Sequence, residues 1–336
     1  MYFARTTIST LAEKSRSITT GLEGASVLSK NATAISDKTI VKFVTLKESA
    51  ELRIAKDGSA STALAPLYSF TTATFNTNRS DRYGIQSIGE AISVMSGSNA
   101  SWNTNTSFFS MPQTGFQLWT VPDTGTYQII TRGAGGGTSN NWGQRGGYGA
   151  YQQGDFTLNN GDKLKMVVGQ RGQNNTYDGG GGGGSYVVLE VASVITPLII
   201  SGGGGGGAPN GDAHRDTRAG TSGRSASGSG GSNGGGGGGS TAGGGGGLTG
   251  NGAGSWGGYA FTSNAQGNGS QAQGGFGGGA GGGGTNGAGG GGGYSGGGYS
   301  GWSGCGGAGG SYNIGENQSN AYAQFSGNGS ITITKL

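Results

Sequence analysis

Histidine occurs once in this 336-residue chain, at His214, inside the run Asn210-Gly-Asp-Ala-His-Arg-Asp216. An imidazole between two carboxylates, Asp212 and Asp216, with Arg215 beside it, is a residue set that general-base hydrolysis or a metal site could use. The spacing serves neither. A histidine-held metal needs partner ligands at a recurring interval, such as i, i+4 on a helix, and this polar loop supplies none. The single cysteine, Cys305, has no histidine near it in sequence, and one thiol makes neither an intramolecular disulfide nor a four-thiolate zinc site. It reads as a small buried residue. G-x-G-x-x-G patterns recur, but they arise by chance in so glycine-rich a chain, and the Gly-Lys-Ser/Thr of a phosphate loop is absent. No catalytic, metal-binding or cofactor-binding residue is assigned, no cofactor is expected, and the chain reads as a non-enzymatic protein.

Charge narrows the partners. The net charge of +4 is dispersed, and no lysine lies between Lys165 and Lys335. Phosphate recognition needs clustered basic residues, and Arg145-Gly-Gly is the only RGG triplet, where a disordered RNA-binding segment would carry repeats of it, so nucleic acid is not an expected partner. No run of 18 apolar residues exists, which argues against membrane insertion, and the N-terminus lacks the apolar stretch of a signal peptide. What remains are the interruptions between glycine runs. Asn210, Asp212, His214, Arg215 and Asp216 form one; Trp256, Tyr259 and Phe261 a second; Tyr299 and Trp302 a third. Aromatic rings stack on the apolar faces of sugars while amides and carboxylates take the hydroxyls, so these residues are the candidate receptor contacts. For each aromatic the competing reading is a plug at the base or rim of the glycine region.

The stretch that must position them runs from Gly202 to Gly310. Of 83 glycines, eight precede Arg132 (Gly21, Gly24, Gly58, Gly84, Gly89, Gly97, Gly115 and Gly125), so the composition breaks near residue 133, which reads as a domain boundary. Fixing a residue costs about 1–2 kcal/mol, and glycine loses the most freedom. A disordered low-complexity tract is therefore one reading. The other is a bundle of extended helices with three residues per turn, in which the missing side chains let backbones bond directly. The flanks favour packing: residues 185–190 and 197–201 are strand-like before the tract, and residues 330–335 are strand-like after it. A tract that ends in a strand returning to a sheet is an insertion rather than a tail. The aromatics within it also speak against a flexible linker.

Three blocks result. Residues 1–66 hold strand-like segments at 39–46 and 50–55 and form an attachment or assembly segment, too small to stand alone. Residues 67–132 form a β-rich connector with one short helix, in which Ile85, Ile88, Ile92 and Met95 share a face. There Phe116 to Pro122 is expected to return through Asp123-Thr-Gly125 as a hairpin with Tyr127 to Thr131, opening a β-sandwich or jelly roll. Residues 133–336 form the glycine-rich domain, with helices over 202–310 and a closing strand over 330–335. A further hairpin is expected over 154–168, with Phe156, Leu158, Leu164, Met166 and Val168 facing the core around Asn160-Gly161. The fold class is mainly β: a sandwich or jelly-roll-like platform carrying polyglycine II helices.

The ordered series Trp119-Thr-Val-Pro122, Gly133-Ala-Gly-Gly-Gly137, Gly146-Gly-Tyr148, Gly154-Asp-Phe156, Gly161-Asp162, Val167-Val-Gly-Gln170, Gly180-Gly-Gly-Gly-Gly-Ser-Tyr-Val187 and Pro197-Leu-Ile-Ile-Ser-Gly-Gly203 resembles the glycine-rich domain of many bacterial and phage proteins and of the anaplastic-lymphoma-kinase receptor family. Residues 67–121, through Tyr68-Ser-Phe70, Arg82-Tyr-Gly84 and Gln117-Leu-Trp119, are similar to segments preceding such domains in structural proteins of tailed phages. The resemblance implies a sheet-supported polyglycine bundle, which in phage tail-fibre adhesins displays receptor-binding loops at its tip. The receptor-kinase form carries disulfides, a secretion signal and a membrane span, none of which is read here, so the phage branch is preferred. The expectation is a virion surface protein that binds a host surface glycan or outer-surface protein. Residues 1–66 would contact other virion proteins, and a homo-oligomer fits the same picture. A purely structural capsid or tail decoration, or a filament subunit, is the alternative.

Overall fold

The computed structural model describes residues 53–54, 60–61, 65–97, 101–209, 211, 213–269, 271–283, 287–301 and 304–336. The chain divides into two units, Met1–Leu67 and Tyr68–Leu336. In the first, β1 (Arg53–Ile54) pairs antiparallel with β2 (Ala60–Ser61). The strand expected over 39–46 lies outside the described residues, as does the rest of the attachment segment apart from residues 65–66.

The second unit is built on two antiparallel sheets. One holds, in spatial order, β11 (Tyr312–Asn313), β10 (Val194–Ser201), β9 (Ser185–Val191), β8 (Lys163–Val167), β5 (Phe116–Thr120) and β4 (Phe109–Gln113). The other holds β12 (Glu316–Phe325), β7 (Gly149–Leu158), β6 (Gly125–Arg132), β13 (Ser330–Lys335) and β3 (Thr72–Phe75). Their facing side chains form one core: Phe109, Trp119, Leu164, Met166, Val187 and Ile199 from the first sheet meet Phe75, Tyr127, Ile129, Phe156, Leu158, Ile331 and Ile333 from the second. The fold is mainly β and sandwich-like, as expected. The closing strand returns as expected too, between β6 and β3.

Two pairings differ from expectation. Residues 116–131 do not form a hairpin: β5 pairs with β4 and β8, while β6 pairs with β7 and β13. The turn at Asp123 therefore carries the chain from one sheet to the other, and Trp119 meets Tyr127 across the core, ring centroids 6.0 Å apart. The 154–168 segment does the same between β7 and β8. Its five expected core residues are all buried, but in facing sheets rather than in paired strands. Alternation specifies which side chains point inward and leaves open which strand lies alongside. Strands from 67–132 and from 133–336 share both sheets, so the break at residue 133 is no domain boundary. It marks where strands give way to glycine segments.

The helix α1 (Ile88–Val94) lies at the expected place, capped by Ser87, whose side chain accepts from the Glu90 N–H. Gly89 within it is exposed, and its nearest neighbour for an added methyl is the Ser87 Oγ at 3.9 Å. Gly89→Ala is expected to stabilise the chain by about 0.5–1 kcal/mol through helix propensity, read as a higher melting temperature.

Near its glycine end the six-stranded sheet is buried on both faces, which explains the unbroken apolar runs Tyr186-Val-Val188 and Leu198-Ile-Ile200. Its second face, with Phe116, Val167, Tyr186, Val188 and Ile200, is covered by Leu248, Phe261, Ala265 and Phe276 from the glycine-rich stretch. Serines mark the seam. The Ser185 hydroxyl donates to the Arg132 carbonyl (2.6 Å), that of Ser201 donates to the Thr131 carbonyl (2.8 Å), and that of Ser311 accepts from the Gly202 N–H (3.1 Å). The buried Tyr186 hydroxyl donates to the Gly293 carbonyl at 2.9 Å, and burial raises its pKa well above the ordinary tyrosine value.

Beyond the seam, glycine segments bond to one another, and residues 202–207 display the rule. The N–H groups of Gly203 and Gly206 donate to the carbonyls of Gly292 and Gly289, those of Gly204 and Gly207 to Ala134 and Gly137, and that of Gly205 to Arg215. In return the carbonyls of Gly202 and Gly205 accept from Ala150 and Gly147, those of Gly203 and Gly206 from Gly309 and Gly306, and those of Gly204 and Gly207 from Gly182 and Gly179. All these bonds are 2.7–3.0 Å long. The same neighbouring segment returns at every third residue, and every backbone polar group of the six is satisfied without water.

Candidate functional site

The two ends of the sandwich differ. The chain enters the second unit beside Lys335, whose N–H donates to the Thr71 carbonyl (2.9 Å), and β3 then pairs Thr72 with Thr334. Glycine segments leave from the opposite end, after Arg132 and Ser201 and before Ser185 and Ser311. The backbone bonds of residues 202–207 run from the seam, at Gly202, to Gly207, which bonds to Gly137 and Gly179. The loops that follow Gly137 and Gly207 and precede Gly179 therefore lie away from the sheets, on the side remote from the chain's entry.

Among the expected contacts, Asp216 and Arg215 are placed in the same cluster and are engaged internally. Both terminal nitrogens of the Arg145 guanidinium donate to the Asp216 carboxylate at 2.7 Å, and the Tyr148 N–H adds a third bond at 2.8 Å. Arg145 also lies over the Tyr148 ring, 4.0 Å from its centroid. Arg215 Nη1 reaches the Gln144 side chain (3.4 Å), the Arg145 carbonyl (3.3 Å) and the Cys305 sulfur (3.5 Å). The His214 Nδ1 stands 2.7 Å from the Ser225 carbonyl on the exposed surface. This cluster ties loop 211–217 to residues 144–148, a structural use for groups expected to face a ligand. Asn210, Asp212 and Trp302 lie outside the described residues.

Burial alone would raise the Asp216 pKa, but the bonds from Arg145 and Tyr148 and the charges of Arg145 and Arg215 outweigh it, so the carboxyl titrates below the usual range. A depressed folded-state value means that the stabilisation is complete above the ordinary aspartate pKa of about 3.9 and fades as pH falls through the lower folded value. Hydrogen exchange should therefore find the Tyr148 amide still protected at pH 4. Asp216→Asn should speed its exchange at pH 7 about tenfold or more, the worth of bonds to a charged group. An unchanged rate would show that the loop is held by something else.

The aromatics divide. Phe261 is a correction: it is buried, 5.1 Å from the Tyr186 ring centroid and 5.2 Å from that of Phe116, and plugs the base of the glycine region. Its place over the outer sheet face decides this. Trp256 and Tyr299 are half-buried, and Tyr259 is exposed at 37%. The backbone of Tyr299 joins the lattice through Gly238 and Gly228, both at 2.9 Å. No observation brings Trp256 and Tyr259 together with the 214–216 loop.

Three exposed aromatics lie outside the expected contacts: Tyr83, Trp142 and Tyr177. Trp142 and Tyr177 are exposed at 54% and 45%. They stand in Ser139-Asn-Asn-Trp-Gly-Gln144 and Asn174-Asn-Thr-Tyr177, the same aromatic-beside-amide signature that selected the other loops. They precede the 202–310 stretch and so are not among the interruptions of its glycine runs. Among the described residues no group of three or more His, Cys, Asp and Glu side chains could hold a metal ion, and no helix is long and apolar enough to cross a membrane.

Comparison with known protein families finds no family model that matches this chain, and no curated protein matches it.

Proposed function

We propose that the chain is a non-enzymatic surface protein of a tailed-phage virion, of the tail-fibre adhesin type, in which polyglycine II helices hold receptor-binding loops. One observation carries the reading. Backbone bonds recur at every third residue from the seam to the turns, so loops are supported at one end of a unit whose chain enters at the other. The recurrence is what left-handed helices of three residues per turn, rising about 3.1 Å per residue, produce. A lattice without side chains recognises little by itself; it positions the side chains at its turns. Residues 1–66 would attach the protein to other virion components, and the partner at the turns is a host surface glycan or outer-surface protein.

The test is competition. Purified intact chain should slow adsorption of its phage to host cells, and antibodies against it should label an exposed tip of the particle. Label confined to the capsid, with no effect on adsorption, would favour the structural reading of a decoration or filament subunit. That second reading draws on the Arg145–Asp216 pair, where charged loop residues are used to hold the surface rather than to offer it.

A further inference from the structure

Loops 138–145 and 173–178 make a paired, rigid face. Ser139 and Gln144 exchange backbone bonds (2.9 and 3.2 Å), closing a short hairpin that turns through Gly143 at φ +59°. The hairpin is laid on the second loop in parallel register: the Asn140 N–H donates to the Asn175 carbonyl (2.8 Å) and the Asn141 N–H to the Thr176 carbonyl (2.9 Å). The Ser139 hydroxyl donates to the Tyr177 carbonyl at 2.6 Å. Trp142 and Tyr177 each stand one residue beyond the Asn141–Thr176 bond, so two exposed rings leave neighbouring backbone positions that are already fixed. Ordering them on binding costs little.

We propose that this face binds a neutral saccharide, with a pyranose ring on Trp142 and Tyr177 and its hydroxyls on the amides of Asn140 and Asn141. Those two amides, the indole N–H and the Tyr177 hydroxyl make no hydrogen bond among the described residues. Neither loop contains an aliphatic side chain, whereas a protein partner would be held by a buried apolar centre. Of the charged groups at hand, Arg145 is paired with Asp216, Asp178 is fully buried, and the half-buried Arg171 donates to the Thr138 hydroxyl at 3.2 Å.

The proposal takes its biological sense from the receptor-binding reading, but its test is separate. The intact chain is titrated with methyl α-glucoside, methyl β-galactoside and chito-oligosaccharides, followed by saturation-transfer NMR and tryptophan fluorescence. At least one probe should saturate, with transfer strongest to ring-face C–H protons. Trp142→Ala and Tyr177→Ala should each weaken it about tenfold without lowering the melting temperature, and Trp142→Phe should restore much of the loss. Raising salt should change affinity by less than about twofold, since no ion pair is involved. If no probe binds, or if binding survives both alanine variants, the proposal is overturned. If intact chain blocks adsorption and Trp142→Ala blocks it equally well, the receptor-binding reading stands and the saccharide face falls. If Trp142→Ala loses competition that added saccharide cannot displace, the partner is a protein and the proposal also falls.

Discussion

Gly205→Ala is expected to abolish cooperative folding of the second unit. A methyl group there would stand 1.9 Å from the Gly306 carbonyl oxygen and 2.4 Å from its carbon, distances at which one backbone must move. Neither segment is free to do so. Gly205 donates to Arg215 and accepts from Gly147, while Gly306 donates to the Gly206 carbonyl next to it, so shifting one segment breaks bonds in several. Ordinary overpacking against side chains costs about 1–3 kcal/mol because rotamers adjust. Here there are no rotamers, and a loss above about 5 kcal/mol is expected, in the range where a single change unfolds a domain. The control is Gly327→Ala, exposed and with nothing within 4 Å of the added methyl, which should stay within about 0.5 kcal/mol. Soluble expression and thermal unfolding of the two variants distinguish the alternatives directly. In a disordered tract both alanines would be harmless, so a Gly205→Ala protein that melts like the native chain would refute backbone-on-backbone packing.

The second large effect is expected at Phe276→Ala, about 3–5 kcal/mol for removing a fully buried ring. Phe276 is the peg on which the glycine stretch is hung. Its ring meets Phe116 of the six-stranded sheet edge-on, centroids 6.1 Å apart, and fills the space left by Gly84 and Gly115. Both glycines have positive φ, +77° and +78°, and a methyl on them would come within 2.8 and 2.2 Å of the ring. Its backbone is bonded as well: its N–H donates to the Asp81 carbonyl (3.0 Å), and its carbonyl accepts from the Gln170 N–H (2.8 Å). The alanine variant keeps those backbone bonds and loses only the ring, so the chain should still fold but melt on the order of 10 °C lower, at about 2–4 °C per kcal/mol. A shift below a few degrees would mean that the bundle is held to the sheet by its hydrogen bonds alone.

Particular elements show what could be read in advance. The inward residues of 154–168 were legible because period-two alternation around Asn160-Gly161 follows from the pleat. Their pairing was not, because an arch between sheets and a hairpin within one carry the same alternation, and the choice belongs to the Trp119 and Tyr127 core. The Ile88–Val94 helix was legible from its apolar spacing. The candidate surface was legible only as a residue type. Phe261 and Trp142 carry equivalent signals, an aromatic among small polar residues, yet one is buried and the other 54% exposed. Position relative to the outer face of the sheet separates them, and no local pattern encodes it.

Composition by itself determined that this protein could not rest on one apolar core. Alternation placed several of its strands and marked the return of residues 330–335, and its glycine is concentrated where those strands end. Whether those glycines pack, and against which neighbours, was decided only in three dimensions. A residue without a side chain contributes nothing to pattern recognition, and its partners come from segments as far apart as Ala134 and Gly309. The bonds that order the stretch are backbone bonds, the same for every residue type. What is specific to glycine is the absence of the one atom that would keep those backbones apart.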